Sequence, residues 1–291
     1  MVEVKYLSFL TADGVELKSS LFKPDESGVS TLGGKDVSVL INSATGAPRF
    51  YYERFASFLA EQGFMVLTYD YRGLFDSAQT PELDALASMR DWGEFDTQAA
   101  LKFLLNERPD AKLTFVGHSI GGTLLGLAQS NDLVKAAIAI ASPSGHWRHW
   151  PFPEKLFSYI AYTIFVPLVV AIWGKLPSRL VGTELPRGVA LEWARWCKHE
   201  DFVVDKDGNA LHGGFARYKG PYLFYATTDD IFAPPDSVKA LAALFKNARL
   251  EFRTIRPADW NTNAIGHFGF FRKTAPVAFW QELAQFLKES E

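Results

Sequence analysis

Eight short apolar or alternating runs lie along the chain, at 2–10, 15–23, 37–41, 64–69, 113–117, 134–141, 222–227 and 250–255. From the third onward, most are followed by stretches of helical period: 49–62 stopped by Gly63, 92–107 ending before Pro109, 120–129, 236–246 and 276–289. Strands that alternate with helices of ten to sixteen residues require βαβ crossovers, hence a largely parallel sheet with both faces covered. The first two runs are joined through Asp13-Gly14, which reads as a β-hairpin ahead of the parallel part. A Gly/Ser-rich loop is expected at 27–35.

The rhythm breaks between about 144 and 215. Five of the eight tryptophans fall there (Trp147, Trp150, Trp173, Trp193, Trp196), among prolines and with no clear strand. The expectation is one catalytic domain, 1–143 with 216–291, carrying a helical cap at 144–215 inserted after the sixth strand. Within that insertion, 156–173 is uncharged and mostly apolar over eighteen residues, at the edge of a membrane-spanning length. A single span would put the two halves of the sheet on opposite sides of a bilayer, and Pro167 interrupts the run. The reading is therefore buried cap helices packed on the core, with a surface-associated lid as the alternative.

Composition excludes other classes. A chain of 291 residues that is 48% hydrophobic and 22% charged can bury a large core and is not disordered. Its net charge of −3 leaves no basic surplus for nucleic acid. The single cysteine, Cys197, allows neither an intrachain disulfide nor a cysteine-rich metal site and reads as a buried, inert thiol. The first residues lack a basic segment followed by an apolar one, which predicts no secretory signal and a cytoplasmic protein.

The most specific motif is G-H-S-I-G-G at 117–122, between the fifth strand and a helix. Glycines on either side of Ser119 allow a sharp strand-to-helix turn that presents the hydroxyl, and the helix N-terminus behind it favours developing negative charge. Such a serine needs a base, and the base an orienting carboxylate. Of six histidines, four lie in or beside the insertion and His118 lies inside the motif. His267 follows the last strand, so it reaches the same sheet edge as Ser119. The carboxylate belongs on the loop after 222–227, where Asp229 and Asp230 are adjacent and either could face the histidine. Asp70 and Arg72, at the end of the fourth strand, read as structural. His146 and His149 are three apart without an evident third ligand, so no metal is expected. Pocket-lining side chains are expected at His118, Trp147, Trp150 and Phe268.

By these residues the chain resembles the α/β-hydrolases, and more narrowly a bacterial group of predicted members. The similarity spans A-T-G-A-P at 44–48, T-Y-D-Y-R-G at 68–73, G-H-S-I-G-G, L-P-R-G-V-A-L-E-W-A-R-W-C at 185–197, D-D-I-F-A-P from 229 and G-H-F-G-F-F-R at 266–272. The resemblance implies a mostly parallel eight-stranded sheet flanked by helices, a cap and the triad Ser119, Asp230 and His267, with Asp230 preferred by its spacing to Pro234. It also implies two departures. The loop after the third strand reads N-S-A-T-G instead of carrying His-Gly. The oxyanion hole would then combine the N–H of Ile120 with that of Ala44 or Thr45. Phe75 stands where many relatives have glycine.

The expected activity is hydrolysis of a carboxylic ester or related small acyl compound through an acyl-enzyme, with no cofactor. The aromatic insertion suggests a hydrophobic acyl or aryl group. The same triad could serve an amidase, a carbon–carbon hydrolase or an acyltransferase, and the fold also occurs as a non-catalytic interaction module.

Overall fold

The structure, a computed structural model, describes residues 2–24 and 37–290; the Gly/Ser-rich segment 27–35 lies outside them. A hairpin of β1 (Glu3–Leu10) and β2 (Glu16–Lys23) leads into β3 (Val37–Asn42), β4 (Met65–Tyr69), β5 (Lys112–His118) and β6 (Ala136–Ile140). After the insertion, with its two-residue strands β7 (Lys175–Leu176) and β8 (Leu185–Pro186), come β9 (Pro221–Thr227) and β10 (Arg249–Ile255). Eight strands form one sheet in the order β1-β2-β4-β3-β5-β6-β9-β10. The pairings β1–β2 and β2–β4 are antiparallel and the rest parallel.

Strands β3, β4, β6 and β9 are buried along their whole length, as expected of parallel strands sandwiched between helices. The covering helices include α1 (Glu53–Glu61), α2 (Gln98–Glu107), α3 (Ile120–Leu124), α6 (Pro235–Ala242) and α7 (Val277–Glu289). From β3 the chain winds first toward β4 and then returns on the other side to β5. That reversal opens a crevice beyond the C-terminal ends of β3 and β5, where such sheets bind ligands. Asn42 is in register with Gly117, so the loop after β3 faces the turn after β5.

Three expected helices are shorter or less regular than their patterns. The segment 49–62 begins as a 3₁₀ turn, Arg49–Tyr52, before α1. The segment 92–107 opens with a wide π-type turn, Trp92–Thr97, in which the Thr97 hydroxyl donates to the Trp92 carbonyl at 2.7 Å. The α-helical part of 120–129 stops at Leu124 and continues as turns, with Gly126 pressed against Phe215. Asp70 and Arg72 are structural: Asp70 is ion-paired with Arg49, and Arg72 bridges Asp96 at 2.7 Å and Asp13 at 2.6 Å.

The insertion differs from expectation in two ways. It contains the short β7–β8 ladder as well as helices. Its apolar run forms one helix, α4 (Glu154–Trp173), that lies on the surface instead of being buried; only 17% of its most apolar window is covered. One face, with Val166, Val169 and Val170, is buried, while Tyr162 meets Trp193 of α5 (Arg187–Lys198) edge-on at 5.4 Å.

Candidate active site

Ser119 sits between β5 and α3 at φ 55° and ψ −124°, backbone angles that L-residues rarely adopt and that cluster at functional sites. Two glycines make this turn sterically feasible. A Cβ on Gly117 would lie 2.4 Å from the Gly122 nitrogen, and one on Gly121 would lie 2.5 Å from the Asn42 carbonyl oxygen. The Ser119 N–H donates to the Ile140 carbonyl at 3.0 Å, tying the turn to β6.

His267 and Asp230 meet across the sheet edge. The ring Nδ1–H donates to Asp230 Oδ2 at 2.7 Å, with both side chains almost fully buried. Asp230 Oδ1 accepts the N–H groups of Phe232 and Ala233 at 2.8 and 3.0 Å, so its orientation is set by its own loop. With Nδ1 carrying the proton, Nε2 of a neutral ring is an acceptor. His267 and Ser119 both line a cavity of about 670 Å³.

Asp229 takes a different position. Its Oδ2 accepts the N–H groups of Ile265 and Gly266 at 2.8 and 3.0 Å, and Oδ1 accepts the Thr227 hydroxyl at 2.6 Å. Burial disfavours its charge, but these bonds prevail and hold the carboxyl below its ordinary range. Asp229 thus fastens the loop that carries His267.

His118 was expected to line the pocket; it lies behind it, fully buried. Its Nε2 is 2.9 Å from the His267 carbonyl oxygen, which can only accept, so Nε2 carries the proton. Its Nδ1 then accepts from the Tyr52 hydroxyl at 2.8 Å, and that hydroxyl accepts the Ala44 N–H at 2.8 Å. Burial and the neighbouring His267 push His118 well below the ordinary imidazole value, so it stays neutral. The next tyrosine, Tyr51, donates its hydroxyl to the Phe268 carbonyl. Sequence patterning offered no signal for Tyr52, whose importance comes from contacts 66 residues away.

The same bond separates the two oxyanion candidates. The Ala44 N–H is already committed to Tyr52 and its side chain is buried, whereas Thr45 lines the cavity together with Ile120. Trp150 and Phe268 also line it, and the Trp150 indole donates to the Ile231 carbonyl at 2.8 Å, joining the insertion to the Asp230 loop. Trp147 does not line it: its ring packs on Tyr159 at 4.9 Å, held away by α4. Sequence reading missed Phe157, Tyr162, Phe202, Ile231 and Phe232, which complete much of the apolar wall. Ile231 and Phe232, directly after Asp230, had the clearest signal.

His146 and His149 have ring centroids 5.6 Å apart and nearly perpendicular planes. Among the described residues, no group of three His, Cys, Asp or Glu side chains is arranged to hold a metal. Cys197 is buried, and burial pushes its thiol pKa up.

Comparison with known proteins agrees with this architecture. An esterase of Pyrococcus furiosus superposes with a TM-score of 0.61 at 18% identity, over 99% of this chain and 93% of its own. A soluble variant of the monoglyceride lipase of Saccharomyces cerevisiae, solved with a substrate analogue, gives 0.68 at 14% identity, over 99% and 95%. The protein DcsB, also solved with a substrate analogue, gives 0.65 at 19% identity, over 99% and 100%. No curated protein matches the chain by sequence. The sequence profile of the alpha/beta hydrolase family matches residues 39–284, and the chain belongs to that family.

Proposed function

We propose that the protein is a serine hydrolase that cleaves a carboxylic ester bearing an apolar acyl or aryl group. The observation that carries this reading is the His267–Asp230 hydrogen bond at 2.7 Å, with His267 lining the same cavity as a serine held at positive φ. In this mechanism His267 Nε2 takes the Ser119 proton as Oγ attacks the ester carbonyl. The oxyanion accepts N–H bonds from Ile120 and Thr45. Collapse of the intermediate expels the alcohol, which leaves with the proton from His267. Water then attacks the acyl-enzyme by the same route in reverse, releasing the acid and restoring Ser119.

Asp230 keeps the proton on Nδ1 and stabilises the imidazolium that forms transiently. Residues 144–215 act as the cap over the acyl site. Phe157, Trp193, Phe202 and Phe232 supply its apolar surface, which fits a hydrocarbon or aryl group better than a charged one. Esterase and lipase structures among the neighbours are consistent with the same chemistry.

Intact-mass spectrometry after treatment with a small fluorophosphonate tests the proposal without assuming a substrate. One adduct on the native protein and none on Ser119→Ala is the expected result. No adduct on folded native protein, with and without detergent, would overturn it.

A further inference from the structure

The outer face of α4 is unlike the surface of a water-soluble domain. Phe157, Ile160, Ile164, Leu168 and Ile172 recur every three or four residues and are 67, 44, 59, 54 and 62% exposed. A solvent-facing stripe at that spacing normally carries charge. Here no charged side chain occurs from Leu156 to Trp173, and mean hydropathy reaches 2.0.

The helix does not cross a membrane. The chain leaves the sheet after β6 and re-enters it at β9, the neighbouring strand, in register at Ala137 and Tyr222. The inner face of α4 is meanwhile packed against α5. We propose that the outer face docks on an anionic lipid bilayer, with α4 lying in the plane of the interface.

Charge and aromatic placement select this occupant. The segment that flanks α4, residues 144–187, carries five basic side chains (Arg148, Lys155, Lys175, Arg179, Arg187) against Glu154 and Glu184, the latter paired with Lys175 at 2.6 Å. The cations thus gather beside α4 in an insertion whose net charge over 144–215 is only +1. The cations stand at the two ends of α4, Lys155 in its first turn and the others outside it, and none lies between Leu156 and Trp173, the arrangement that lets an apolar face enter acyl chains while the ends meet headgroups. Trp147 and Trp150 before the helix and Trp173 at its end are residue types that favour the same boundary. The exposed stripe is also continuous with the cavity. Phe157, Ile231 and Phe232 line the cavity and are 67, 73 and 59% exposed, so they form its rim. Docking therefore sets the mouth of the cavity against the lipid, the source of an apolar acyl substrate.

Co-sedimentation of the full chain with phosphatidylglycerol vesicles and, in parallel, phosphatidylcholine vesicles tests the proposal independently of catalysis. The native protein is expected to bind the anionic vesicles, and to bind the neutral ones roughly tenfold less. Leu168→Glu and Ile164→Glu, neither lining the cavity, should each lower partitioning by about tenfold or more. Their melting temperatures and fluorophosphonate labelling should stay native, which separates this result from any failure of the hydrolase reading. Absence of native vesicle binding, or unchanged binding by both folded variants, would overturn it. A native dimer that Leu168→Glu turns into a monomer, without vesicle binding, would assign the face to a second copy of the chain instead.

Discussion

His118 Nε2–H donates to the backbone carbonyl of His267 at 2.9 Å, so one histidine holds the main chain of another. The bond continues through Tyr52 to the Ala44 N–H. A single buried chain of donors therefore joins the loop after β3, the end of β5 and the loop that presents the proposed base. Its members are neutral, which spares the site an uncompensated buried charge.

Replacing His118 tests this positioning role. His118→Leu strands the Tyr52 hydroxyl and the His267 carbonyl, each at about 1–3 kcal/mol. Turnover of a soluble ester should fall by about ten- to a hundredfold in kcat with little change in KM, because the base shifts while the cavity wall does not. Native kcat in a folded variant would show that the loop is held elsewhere.

The adjacent aspartates should separate cleanly by mutation. Asp230→Asn removes the acceptor that keeps the proton on His267 Nδ1, and kcat should drop on the order of 10³–10⁴-fold with a native melting temperature. Asp229→Asn weakens the bonds to Ile265 and Gly266. Its expected signature is about 1–3 kcal/mol of lost stability in urea unfolding with only a modest loss of kcat. Equal kinetic damage from both would contradict the division of roles.

Phe75 lies at φ 48° and is about a third exposed. A left-handed backbone costs an L-residue about 1–2 kcal/mol, and glycine's greater unfolded-state entropy returns roughly half of that. Phe75→Gly should therefore be neutral or stabilising by up to about 1 kcal/mol in chemical denaturation. A loss above that range would mean that the ring's packing outweighs the strain.

Stability should fall as the solution is acidified. Burial, with His267 beside it, holds His118 well below the ordinary value of 6.5. Burial, with nearby His149, Arg148 and His199, holds His146 at about 4. Below pH 6.5 the unfolded chain takes up protons that the folded chain refuses, so stability is lost as pH drops toward 4. Melting temperature measured across that window should decline, and His146→Gln should flatten the slope. An unchanged slope in the variant would remove His146 from the account.

Local sequence periodicity was enough to delimit the eight strands of the main sheet and the G-H-S-I-G-G turn. Burial on both faces demands unbroken apolar runs, and a reversal as tight as that at Ser119 demands glycines at Gly117 and Gly121. The order Ser119, aspartate pair, His267 followed because each stands just after a strand, and parallel strands deliver their ends to one edge. Tertiary structure alone decided what depends on direction instead of spacing. Two neighbouring carboxylates have nearly the same sequence context, yet only Asp230 turns toward His267, because Asp229 is drawn to the amides of Ile265 and Gly266. His118 occupies the variable position of the turn, but the alternation of β5 points it into the core and away from substrate. The apolar run at 156–173 reads the same whether buried or exposed. Which side of α4 meets α5, and which is left bare, is set by packing partners far along the chain.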